Sequence, residues 1–277
     1  MGYKNSNGKH LREILLQINN FKTTDDSALE KAGGSRLSCF YYERLLDVCK
    51  ISQMYFDALV DKNWTKDRWP EQSKALEDLI SIGRVAAESF LERKDDVFIP
   101  ARETIRAAYK ELLKTIDYED VAQEPNLYAC HYSTIDNFGS NMNKLKNTGY
   151  NFDTVICIAD GGFLPAFVGG YAFPDSKILP IRYSYHTRND LNIMLPSSSS
   201  YSYAADLITG KNILVVDDIV VDKVTAMVVL RNVIQYKPAS IVFASVIGGQ
   251  LIESMYAQTK MRCERIGKLD AFECRLR

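Results

Sequence analysis

The chain has 277 residues, of which 46% are hydrophobic and 25% charged, with a formal net charge of −1. Such values suit a globular protein of one large or two modest domains with a proper core, and exclude a disordered or fibrous chain. Acids and bases are interspersed, so nucleic acid is not indicated as a partner, since that would need a basic face.

Six cysteines, Cys39, Cys49, Cys130, Cys157, Cys263 and Cys274, show no paired metal or redox spacing. Reduced thiols in a cytoplasmic protein are expected. No apolar stretch at the start resembles a signal peptide, and the longest apolar run, around residues 239–247, falls far short of the roughly 18 residues that span a bilayer. No membrane is therefore expected as a partner. The opening Met1-Gly2-Tyr3-Lys4-Asn5-Ser6 matches a myristoylation pattern, read here as chance because so short a pattern recurs often.

Before Pro125 the rhythm is helical. Leu11, Ile14, Leu15 and Ile18 share one stripe, and Leu45, Val48, Cys49 and Phe56 share another within a run from Ser38 to about Asp61. Trp69-Pro70 marks a further start, because proline suits the first helical turn, and Leu76, Leu79, Ile80 and Ala87 follow. Pro100 opens a helix over about residues 101–116. Residues 1–125 thus read as an all-helical module suited to partner docking or oligomerisation. Its aromatics, including Trp64 and Trp69, are expected to pack between helices.

After Pro125 strands and helices alternate. The expected elements are a short strand over 127–131, a helix over 134–146, a strand over 154–159 and a helix over 163–171. They continue with strands over 177–183 and 212–216, a helix over 223–236, a strand over 240–247 and a helix from about Leu251. The last eighteen residues, with a modest basic excess, read as a solvated tail or helix face. Apolar strands without strict alternation, separated by helices, predict a parallel sheet covered on both faces. Ligands of such sheets collect beyond the carboxyl ends of the strands.

Three loops should meet at that edge: the one after Ala159, a stretch from about Tyr185 to Gly210, and Asp217 to Thr225. Asp160-Gly161-Gly162 follows the strand ending at Ala159; adjacent glycines there make either a tight turn or a close approach to an anion at a helix start. Asp217-Asp218 ends another apolar run; such acids either cap a helix or bind a sugar diol or Mg²⁺. Thr225 serves either as a cap or as a phosphate contact.

Residues 213–225 resemble the phosphoribosyl diphosphate-binding signature of type I phosphoribosyltransferases: apolar residues, two acids, two apolar residues and a phosphate loop. Residues 155–166, with Asp160-Gly161-Gly162, resemble the family's diphosphate loop. The polar stretch 186–206, with Ser197 to Ser200 in a row, stands where the family has a mobile loop. The resemblance covers about residues 127–250. It implies a parallel-sheet α/β domain of that type over 126–277, preceded by the all-helical domain.

The resemblance also implies roles. Asp217 and Asp218 contact the ribose 2- and 3-hydroxyls directly or through Mg²⁺, and Val221, Asp222, Lys223, Val224 and Thr225 cradle the 5-phosphate. Asp160, Gly161 and Gly162 face the diphosphate, with Asp160, Asp217 and Asp218 as the catalytic acids. Departures from the pattern are concentrated in the phosphate loop. Asp222, Lys223 and Val224 stand where threonine and glycine are usual, and Asp160 stands where a basic or hydroxyl residue is common. Two unit anions about 4 Å apart repel by about 4 kcal/mol at an effective dielectric of about 20. Lys223, Arg182 and Arg188 are the expected basic partners. No base-recognition motif is legible; Tyr183, Tyr185, Tyr201 and Tyr203 are candidates to stack on a ring, and His186 is a candidate general base.

The resulting expectation is a phosphoribosyltransferase-like enzyme acting at the anomeric carbon of a phosphorylated ribose, either phosphoribosyl diphosphate or a nucleotide. Two alternatives stay open. One is hydrolysis of a nucleoside or nucleotide glycosidic bond. The other is a non-catalytic or partner-gated component of a multi-protein system, because members of this fold serve as regulators and relatives with appended helical domains occur in antiviral defence. A homo-oligomer or hetero-complex through the helical half is expected in either case.

Overall fold

A computed structural model describes residues 34–61, 69–93, 132–159, 161–183, 199–220, 224–248, 261–267, 269 and 271–276. The chain divides into two compact units, Met1–Pro125 and Asn126–Arg277. The helices expected near residues 11–18, 101–116 and after Leu251, and the strand expected over 127–131, lie outside the described residues.

The described part of the first unit is a pair of long helices, α1 (Gly34–Asp61) and α2 (Trp69–Glu92). Contacts run in opposite chain directions: Tyr42 meets Phe90 at 5.7 Å between ring centroids, and the Tyr55 hydroxyl donates to the Gln72 carbonyl at 3.1 Å. The pair is therefore antiparallel. The stripes read from the sequence form its core, with Leu45, Cys49, Phe56, Leu79, Ala87 and Phe90 fully buried. Such burial contributes about 1.5–3 kcal/mol for each large apolar side chain.

The second unit is an α/β unit built on a six-stranded sheet, in which strands β1 (Thr154–Ala159), β2 (Lys177–Arg182), β3 (Asn212–Ile219), β4 (Ser240–Ile247), β5 (Met261–Arg265) and β6 (Ala271–Leu276) take the order β2-β1-β3-β4-β6-β5. Strands β1 to β4 are parallel, whereas β6 runs antiparallel to β4 and to β5. The sheet is thus mixed rather than wholly parallel. The final residues, expected as a solvated tail or helix face, are a hairpin. Ala271, Phe272 and Cys274 are buried, and Glu273 is half-buried.

Helices cover both faces. Helix α3 (Tyr132–Asn147) packs on β4 and on α4 (Phe163–Ala172), which in turn packs on β1, β2 and β3. Gly169 of α4 lies over Leu214 and Val155, which identifies the residues of that face. The opposite face carries Ile156, Ile158, Ile213, Val215, Ile241, Phe243 and Phe272, packed with α5 (Ser199–Ile208) and α6 (Val224–Gln235). Part of the stretch expected as a mobile loop is therefore α5, whose Ala204 and Ile208 are buried in this core. Residues 184–198 lie outside the described residues. Among the described residues no helix is long and apolar enough to cross a membrane, and Cys49, Cys157 and Cys274 are buried thiols outside any disulfide.

Candidate functional site

Strand β1 pairs with β2 on one side and β3 on the other. The chain leaves it through α4 toward β2, on one face, and leaves β3 through α6 toward β4, on the other. The carboxyl ends of β1 and β3 therefore flank the point where chain direction across the sheet reverses, which is where open α/β sheets hold ligands.

Gly161 and Asp218 meet at that point. Gly161 has φ +125°, a conformation that side chains rarely adopt, and a Cβ there would collide with the Asp218 carboxylate. The next residue, Gly162, donates its amide to the Ile158 carbonyl at 3.0 Å and accepts from the Ala166 amide at 3.0 Å. That turn aims α4 back across the sheet. Pro165 sits within the first helical turn, where its missing N–H costs no helical bond.

The acidic pair lies inside β3 rather than after it. The ladder to β4 continues through Asp217↔Ser245 and Ile219↔Ile247, so the strand runs past the expected end at Val216. Ile219 and Ile247, β-branched residues in register, sustain it. Alternation then sends the two acids to opposite faces. Asp218 lies on the α4 face, against Gly161, and Asp217 shares the α6 face with Val215, Phe243 and its register partner Ser245.

Both acids are 5% exposed. The amide of Asp218 donates to Asp217 Oδ1 at 3.0 Å, and the amide of Ile219 donates to Asp218 Oδ1 at 2.7 Å. These bonds fix each carboxylate against the backbone. Among the described residues no group of three His, Cys, Asp or Glu side chains is placed to hold a metal. Two carboxylates suffice for Mg²⁺ when the substrate supplies further oxygens, and the donors here are of that kind.

The remaining expected site residues divide. Val224 opens α6, and its side chain packs against the α6-face core. Thr225 follows it in the first turn of α6 and is half-buried. Asp160, Val221, Asp222 and Lys223 lie outside the described residues, as do Tyr185, His186 and Arg188. Arg182 ends β2 beside Ala159. Tyr183 is 2% exposed and belongs to the α6-face core, whereas Tyr203, on α5, is exposed.

Two features of the edge escaped the sequence reading. Ile247 is 43% exposed beside half-buried Ile219, an apolar step just beyond the acids. Ser245 is 1% exposed, and its Oγ makes no hydrogen bond. No protein-family profile matches the chain, and no curated protein matches it in sequence. The chemistry of this edge therefore rests on its own residues.

Proposed function

We propose that the α/β unit binds a phosphorylated pentose at the junction of β1 and β3, as a phosphoribosyltransferase-like enzyme acting at the anomeric carbon. The observation that carries this reading is the contact between Gly161 and the Asp218 carboxylate, which joins the ends of two different strands where such sheets bind ligands. The resemblance in residues 155–166 and 213–225 falls on these same two strand ends.

Fixed carboxylates suit this substrate. Asp217 and Asp218 accept hydrogen bonds from the sugar hydroxyls, and their charge stabilises the oxocarbenium character that develops as the bond to the leaving diphosphate lengthens. A nitrogen nucleophile then forms the new bond to the anomeric carbon and loses its proton. Asp217 and Asp218 are the residues that would hold Mg²⁺, which would supply charge neutralisation for the leaving group. The exposed Ile247 and its neighbour Ile219 offer an apolar face for a planar acceptor. The first unit, a helical module, is assigned to docking or oligomerisation.

A calorimetric titration with phosphoribosyl diphosphate tests the reading. Saturable, Mg²⁺-dependent binding is expected, weakened at least about a hundredfold in Asp217→Asn/Asp218→Asn, since each lost charge-assisted bond costs about 1.5–3 kcal/mol. Absence of binding by the wild type at millimolar ligand sinks it.

Hydrolysis of a nucleotide glycosidic bond is the second reading, favoured by the diphosphate loop itself. There the Gly162 amide is spent on Ile158 and Pro165 has no N–H, so fewer donors face an anion. A substrate with less phosphate to hold fits such a loop. Incubation with a nucleotide mixture should then release free base, and an unchanged mixture counts against it.

A further inference from the structure

Ser245 is the register partner of Asp217 on the α6 face of the sheet. Below it on that face stand Ile241 and Phe243, both buried, so the hydroxyl interrupts an apolar stripe. At 1% exposure its Oγ makes no hydrogen bond. Alanine would fill the same place without leaving a polar group unpaired, and a buried hydroxyl without a partner is destabilising. The hydroxyls at the other end of the sheet behave differently: Ser240 Oγ donates to Asn212 Oδ1 at 2.8 Å and Thr154 Oγ1 donates to the Leu207 carbonyl at 2.6 Å.

Adjacent strands lie about 4.8 Å apart, so the Asp217 carboxylate and the Ser245 hydroxyl can converge on one ligand oxygen. A sugar hydroxyl matches both: its hydrogen goes to the carboxylate, and its oxygen accepts from Oγ. We propose that Ser245 is a specificity-determining residue that, with Asp217, engages the 2-hydroxyl of the bound pentose and makes the site prefer ribose to 2-deoxyribose. This rests on the pentose reading above. A site built around a substrate hydroxyl discriminates against the analogue that lacks it, because its own polar groups are then left unpaired.

The test uses the full chain with ribose 5-phosphate and 2-deoxyribose 5-phosphate, titrated in Mg²⁺ into wild type, Ser245→Ala, Ser245→Cys and Asp217→Asn, with a thermal melt of each protein without ligand. The wild type should prefer ribose 5-phosphate. Ser245→Ala should lose about tenfold in affinity for it, the worth of roughly one hydrogen bond, with affinity for the deoxy sugar unchanged and a melting temperature equal or higher. Ser245→Cys, similar in size with a weaker donor, should fall between, and carries the test should the alanine variant not fold. Unchanged ribose preference in Ser245→Ala overturns the proposal, and so does a lower melting temperature, which would make the hydroxyl a structural bond. If Asp217→Asn loses binding while Ser245→Ala matches wild type, the pentose reading stands and Ser245 falls alone. No binding of either sugar by the wild type removes the reading and the proposal together.

Discussion

The two ends of the sheet treat polar groups in opposite ways. At the amino end they close on one another: Asp153 Oδ2 accepts from the Asn212 amide at 2.8 Å, the Asp153 amide donates to the Asn212 carbonyl at 2.9 Å, and Ser240 completes the chain through Asn212. At the carboxyl end two buried carboxylates stand beside a glycine with positive φ and a hydroxyl that makes no hydrogen bond. The first arrangement is self-sufficient and serves the fold. The second leaves the buried Ser245 hydroxyl without a hydrogen bond, which costs stability.

Substitutions at the two ends can break this contrast. Gly161→Ala carries the largest expected effect, because φ +125° strains any side chain and the new Cβ displaces the Asp218 carboxylate. A loss of about 2 kcal/mol in urea unfolding is expected, with pentose phosphate affinity down by about a hundredfold or more, the scale of an ångström-sized misplacement. Intact binding in that variant would make the carboxyl end as structural as the amino end. Asp153→Ala should behave in the reverse sense. It removes the side-chain acceptor of the Asn212 amide, so about 1 kcal/mol of stability should go while ligand titrations stay superimposable on wild type.

The smallest effect lies away from both ends. Burial, aided by nearby Asp47, raises the Cys49 thiol well above its ordinary range. The folded chain keeps that proton where the unfolded chain has released it, so this contribution is whole below the ordinary thiol range and falls as pH rises through it. Urea midpoints measured against pH should show an alkaline decline that Cys49→Ala reduces. Thiol reagents at neutral pH should leave Cys49 unmodified in the folded protein.

Strong apolar runs made much of the second unit legible: β1 and β4 occupy the residues expected, and α4 and α6 lie within a residue or two of theirs. The closing hairpin was missed because Arg262, Glu264, Arg265, Glu273 and Arg275 give a solvated tone to a short stretch. Its signals were the alternation of Phe272 and Cys274 with charged neighbours and Gly267 between the runs, which takes φ +58°. The acids were legible as residues but not as a geometry. Ending β3 at Val216 made them a pair in one loop, whereas two more rungs of ladder divide them between faces. Ser245 looked like another small residue in the run Ala244-Ser245-Val246. Only register with Asp217 gives it a neighbour.

That division bears on cooperativity within the unit. Strand β3 lies inside the sheet, and its last residues address the α4 layer through Asp218 and the α6 layer through Asp217. A ligand that engages both carboxylates is held by β3 on the two faces that the helical layers cover, so it stabilises the closed packing on both faces at once. Ligand should therefore slow amide exchange in α4 and α6 together, by the same factor, although the two helices lie on opposite sides of the sheet.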